Sequence, residues 1–154
     1  MAFLMLPVIV VVFFFSLAQD QAQRVQFMAS SEVHSAQVEG QVFIAYRNAC
    51  ANYAVANSAF TGSIQQNVVP MPPGVSIPSG YANTVVAVSG GRQVWVWASL
   101  PSGSVYQAVK ALGGDMSIGQ VQGTQWVSPV YGNLGAAPAG VPSGDALSII
   151  QLSP

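Results

Sequence analysis

The chain opens on an unbroken apolar run. Ala2 to Ala18 reads AFLMLPVIVVVFFFSLA, seventeen residues without a charge. As a helix it would extend about 25 Å. That is the lower end of what crosses a bilayer core of about 30 Å. Pro7 falls near its start, where a missing backbone N–H costs little. The pattern predicts a membrane anchor over residues 1–18. The alternative is a signal sequence cut after Ala18, because Ser16 and Ala18 put small residues at the positions a signal peptidase reads. The run is longer than a usual signal core, and no Lys or Arg precedes it, which favours retention. Asp20 and Arg24 cancel, so the flanking charges give no orientation.

From Gln19 to Phe60 there is no proline, and Gly40 is the only glycine. Val42, Tyr46, Cys50 (or Ala49), Tyr53, Ala56 and Phe60 recur every three to four residues, the spacing of one helix face. Before Gly40 the stripe weakens: Val25, Met28 and Ala36 stand among polar residues. The spacing predicts one long helix over residues 19–60, with a bend at Gly40, a solvated or partner-bound first half, and residues 42–60 packed on a domain.

The domain itself, residues 61–154, is predicted to be β-rich. Pro70, Pro72, Pro73 and Pro78 make residues 63–83 an irregular connection. Thr84–Ser89 and Gln93–Ala98 flank Gly90-Gly91 and read as a hairpin. Ser102–Leu112 reads as a short amphipathic helix, with Ser102 as N-cap and Gly113-Gly114 as the stop. Met116–Val121 and Thr124–Val127 form a second hairpin around Gln122-Gly123. Residues 129–144 are irregular, and Ala146–Leu152 closes the chain as a buried strand. The class is α+β: a transmembrane helix continuing into a long helix, packed on a small antiparallel sheet with one short helix.

Charge narrows the function classes. Charged residues make up 6% of the chain. An ordinary globular protein carries about 25%. No charged residue lies between Arg47 and Arg92. Little charge means little electrostatic protection against association, which suits a subunit of an assembly, including a homo-oligomer. Arg24, Arg47, Arg92 and Lys110 are too few and too scattered to neutralise a run of phosphates, so a nucleic-acid partner is not expected. Cys50 is the single cysteine and His34 the single histidine. They permit neither an internal disulfide nor a zinc cluster, and no metal or other cofactor is expected.

Catalysis needs a positioned acid, base or nucleophile. His34 lies in a polar helical stretch and reads as a surface residue. Glu32 and Glu39 are seven apart and share a helix face, but nothing around them forms a pocket. They read as an interaction face rather than a carboxylate pair for acid–base work. Cys50 sits on the apolar stripe and reads as a buried structural thiol. Ser89-Gly-Gly-Arg92 and Leu112-Gly-Gly-Asp115 lack the Lys-Ser/Thr ending of a phosphate loop. No enzyme is expected. Trp95, Trp97 and Trp126 carry the alternative of an exported domain binding a glycan or peptide. Strand alternation puts Trp95 and Trp97 on one face, so their accessibility decides between core and binding surface.

Three stretches carry a resemblance: Phe43-Ile-Ala-Tyr-Arg-Asn-Ala-Cys-Ala-Asn-Tyr-Ala54, Trp126-Val-Ser-Pro129, and Leu134 to Leu147 with its repeated Gly, Ala and Pro. With the N-terminal apolar segment and the length, the chain resembles the PilM family of type IVb (thin) pilus systems of conjugative plasmids. The resemblance implies a non-enzymatic protein of the bacterial inner membrane. It implies a single-pass anchor and a periplasmic domain, in the pilin-transport apparatus or basal body. The implied partners are other pilus assembly membrane proteins or the pilin. It supplies no catalytic residues. The element order also gives a pilin-like shape, and a minor-pilin-like subunit is a further alternative. A prepilin, however, carries a basic leader and a Glu early in its mature helix. MAFLMLPVIV has neither, and the first Glu is Glu32.

Overall fold

The computed structural model describes the backbone of residues 5–153 and the side chains of residues 30–153. The side chains of the expected anchor, residues 1–18, lie outside the described residues. Among the described residues no helix is long and apolar enough to cross a membrane. The chain divides into two units, Met1–His34 and Ser35–Pro154.

Helix α1 runs from Met5 to Ala56. Its buried line is Ala36, Gly40, Phe43, Tyr46, Cys50 and Ala54. This is the predicted stripe slightly rotated: Tyr46 and Cys50 stay central, Val42 and Tyr53 fall on its margin, and Ala56 is exposed. The helix stops short of the expected Phe60. Arg92 caps the end. Its guanidinium donates to the carbonyls of Ala54 (3.0 Å), Asn57 (3.0 Å) and Phe60 (3.2 Å). The Ala54 carbonyl belongs to the last turn of α1, whose acceptors a helix terminus leaves without a helical partner; Asn57 and Phe60 lie just past it. α1 has no basic residue in its own last turn. The cation that complements its C-terminal dipole arrives instead from a strand that follows in the sequence.

Beyond α1 the chain passes through a 3-10 turn, Gln66–Val68, in the expected irregular connection. Then come β1 (Ala82–Val88), β2 (Gly91–Ala98), α2 (Ser104–Ala111), β3 (Ile118–Gln122), β4 (Gln125–Ser128), β5 (Gly132–Ala136) and β6 (Ala146–Leu152). Both predicted hairpins form. β5 was not expected, because its Gly-Asn-Leu-Gly-Ala sequence has neither alternation nor branched residues at the β-carbon. α2 is capped by the backbone of Gly103 rather than by Ser102, with no side-chain bond to its first turn.

The six strands form one antiparallel sheet in the order β1-β2-β6-β3-β4-β5. The last strand therefore lies in the middle, joining the two hairpins. One sheet face carries Val85, Val94, Val96, Ala98, Ile118 and Ala146 and packs on α1. α2 adds Ala108 and Val109 to the same core. Gly40 is where the two helices meet. A Cβ there would stand 2.9 Å from the Ser104 carbonyl and 3.2 Å from the Ala108 nitrogen. The helix continues through Gly40, where the glycine permits this close crossing.

Candidate interaction surfaces

The Tyr46-Arg47-Asn48 turn is built into the fold. Tyr46 is fully buried, and its hydroxyl accepts a 2.7 Å bond from Asn83 Nδ2. Asn83, itself buried, also donates to the Ile64 carbonyl (3.0 Å) and accepts from the Ile64 amide (2.7 Å). One amide side chain thus stands in for a strand partner and fastens the irregular connection to the edge of β1. Gly62 and Val85 exchange two backbone bonds of 2.8 Å beside it. Burial pushes the Tyr46 phenol up to about 12, and burial likewise pushes the Cys50 thiol up to about 12. Cys50 is an unreactive core thiol at neutral pH.

Arg47 leaves the helix sideways. Nε donates to Ser148 Oγ (2.9 Å), and NH1 donates to Asn48 Oδ1 (3.0 Å). NH2 donates to Asp115 Oδ2 (2.8 Å) and Ser117 Oγ (2.5 Å). Asp115 Oδ1 in turn accepts from the Ser117 amide at 2.7 Å. Partial burial raises the Asp115 carboxyl's pKa, but the Ser117 bonds and the Arg47 charge outweigh it and hold the carboxyl below its ordinary range. Arg47 spends its donors inside the protein. It clamps α1 to β6 and to the α2–β3 loop, and is not an anion site.

The two glutamates differ in exposure. Glu32 and His34 are exposed, as are Val33 (55%) and Val38 (44%). Glu39 is half-buried, and its carboxylate faces Tyr81. Tyr81 Oη is buried, and Glu39 is the polar group it faces. Burial, then the Glu39 charge, pushes its phenol up. Glu32 therefore remains the carboxylate of an open helix face, while Glu39 belongs to the margin of the core.

The three tryptophans share the sheet face turned away from α1. All are half-buried. By register Trp97 stands opposite Leu147 and Trp95 opposite Ile149. The Trp126 indole lies over Gly119 and donates to the Leu147 carbonyl at 3.2 Å.

A third surface, which the sequence did not single out, lies at the β4–β5 turn. Tyr131 Oη donates to the Gly114 carbonyl (2.7 Å) and draws this turn to the loop carrying Met116. Tyr106, Met116, Val130 and Tyr131 are all exposed. Beside them a groove of about 300 Å³ is lined by Leu100, Pro101, Val105, Tyr106, Gln120 and Pro129. Tyr106 on α2 and Met116, Val130 and Tyr131 in separate loops share no periodicity that would have revealed this grouping.

The PilM family model matches residues 8–149. The chain belongs to the PilM family. This agrees with the resemblance carried by the Tyr-Arg-Asn turn and the Gly/Pro-rich segment, and it makes the protein pilus-related. Among solved structures, a protein designated PilM from Escherichia coli B7A is similar with a TM-score of 0.54 and 16% identity. That match covers 75% of this chain and 90% of the other. At that identity the likeness speaks for the fold alone. A protein designated pilM from Pseudomonas aeruginosa 2192 has 24% identity and a TM-score of 0.42, and the match covers 76% of this chain and 94% of the other. No curated protein matches the chain.

Proposed function

We propose that this PilM-family protein is a non-enzymatic component of a type IVb pilus assembly apparatus, acting in pilin transport or in the basal body. The observation that carries the reading is the family match across residues 8–149. The apolar run Ala2–Ala18 supplies a single-pass anchor in the bacterial inner membrane, with residues 35–154 exported to the periplasm. Three features support a docking role: the exposed α1 residues Glu32, Val33 and Val38; the patch of Tyr106, Met116, Val130 and Tyr131; and the near absence of charge. Exposed apolar groupings of this kind mark contacts with other proteins. The partners are other membrane proteins of the assembly machine, the pilin, or a second copy of the chain. Deleting the gene should abolish pili and liquid mating while pilin is still synthesised. Normal piliation in the deletion strain would overturn the proposal.

A further inference from the structure

We propose that the outer face of the sheet is a binding platform for a neutral oligosaccharide. An antiparallel sheet with one face in the core normally turns polar residues outward. Here the outward residues of β2, β6, β3 and β4 include Trp95, Trp97, Ile149, Leu147, Val121 and Trp126. Leu147 and Val121 are fully buried on this side, whereas the indoles are only half-buried. The indoles thus roof the aliphatic residues and keep part of their surface open to solvent. Gly119 permits the arrangement. A Cβ there would stand 2.7 Å from the Trp126 ring nitrogen, so any other residue would lift the indole off the sheet.

The polar groups beside the rings suit hydroxyls. Trp95 Nε1 donates to Gln93 Oε1 at 2.9 Å, and Gln93 Nε2 donates to Gln151 Oε1 at 3.0 Å. The relay ends on Gln151, an exposed residue whose own amide nitrogen is left to donate outward. No outward position of these strands carries an ionisable side chain, so a charged ligand would find no counter-charge. Flat aromatic faces with adjacent uncharged amides match a pyranose, whose C–H face stacks on a ring while its hydroxyls take the amide bonds.

The test is calorimetric titration of the full-length protein, in a sugar-free zwitterionic detergent, with chitotetraose and cellotetraose. Saturable binding to at least one is expected. Trp97→Ala should weaken it tenfold or more, and Gln151→Ala several-fold, while Tyr106→Ala, on the α2 groove, should leave it unchanged. Circular dichroism confirms that each variant keeps the wild-type fold, and Gln151→Ala tests the face should Trp97→Ala lose it. Three results would each overturn the proposal: no saturable binding to either sugar, undiminished binding by folded Trp97→Ala and Gln151→Ala variants, or equal affinity for a polyanionic oligogalacturonate. A sugar-blind variant that still restores piliation would leave the pilus reading standing and separate the two questions.

Discussion

At the scale of single residues, the informative side chains are polar and act over long range. Asn83 fastens a proline-rich connection to β1, Arg92 caps the C-terminal end of α1, and Arg47 joins α1 to β6 and the α2–β3 loop. None of these pairings has a sequence signature, because each joins positions far apart in the chain, from 19 residues for Asn83 to 101 residues for Arg47. Cys50 was legible, since its place on an apolar stripe already implied burial. The Arg47–Asp115 pair gives a pH dependence with a defined sign. The Asp115 carboxyl titrates below its ordinary range in the folded protein. Its stabilisation is therefore complete above the unfolded-state pKa of about 3.9. It is lost as pH falls through the lower folded value. Asp145, whose carboxyl burial pushes up, acts in the opposite sense and in a different window, above the unfolded-state value rather than below it. Asp115→Asn should cost roughly 1–3 kcal/mol at pH 7, the range for a hydrogen-bonded charge. It should also flatten the acid limb of a stability–pH curve measured by urea unfolding. A variant with an unchanged acid limb would show that the pair contributes nothing there.

At the scale of elements, periodicity was a good guide to existence and a poor guide to edges. The helical stripe of α1 and the alternation around Gly90-Gly91 were legible because each buries one continuous face. β5 was hidden because an edge strand with exposed Gly, Asn and Ala buries too little to leave a pattern. Gly40 was legible as unusual, but the crossing that requires it was not, since the backbone it accommodates belongs to α2, far along the chain. Its substitution sets two magnitudes against each other. Alanine is favoured over glycine in a helix by about 1 kcal/mol. The added methyl would press on the Ser104 carbonyl and the Ala108 nitrogen, both backbone atoms that cannot rotate away. Overpacking of this kind costs about 1–3 kcal/mol. Gly40→Ala should lower stability despite the better propensity, and Gly40→Val should lower it further. Thermal unfolding of the two variants checks the order. The exposed side of α1 yields a second expectation. A cysteine replacing Glu32, in a Cys50→Ser background, should crosslink to a neighbouring membrane protein or a second copy of the chain. One replacing the half-buried Glu39 should crosslink less. A clean monomer at position 32 in piliated cells would remove that face from the docking role.

At the scale of the whole molecule, the decisive feature is the position of the last strand. Each hairpin is a local structure, and an isolated two-stranded hairpin is marginal in water. β6 pairs with β2 on one side and β3 on the other, and it brings Ala146 and Leu147 to full burial. It also supplies Ser148, to which Arg47 donates. Its apolar run was legible as a buried strand, but a run of this kind carries no record of which strands it will join. The consequence is that the sheet closes only when the chain is complete through Leu152. The unit spanning residues 35–154 holds the core residues of α1, both hairpins and α2, so it contains what its own packing requires. Expressed alone, residues 35–154 should unfold in one cooperative transition with urea. Residues 35–145, which keep both hairpins and lose only β6 and the two residues after it, should show no such transition and should expose Val94 and Val96 to hydrogen exchange along β2. A cooperative, protected 35–145 fragment would mean that the two hairpins pair without the strand between them, against the register in which both now meet β6.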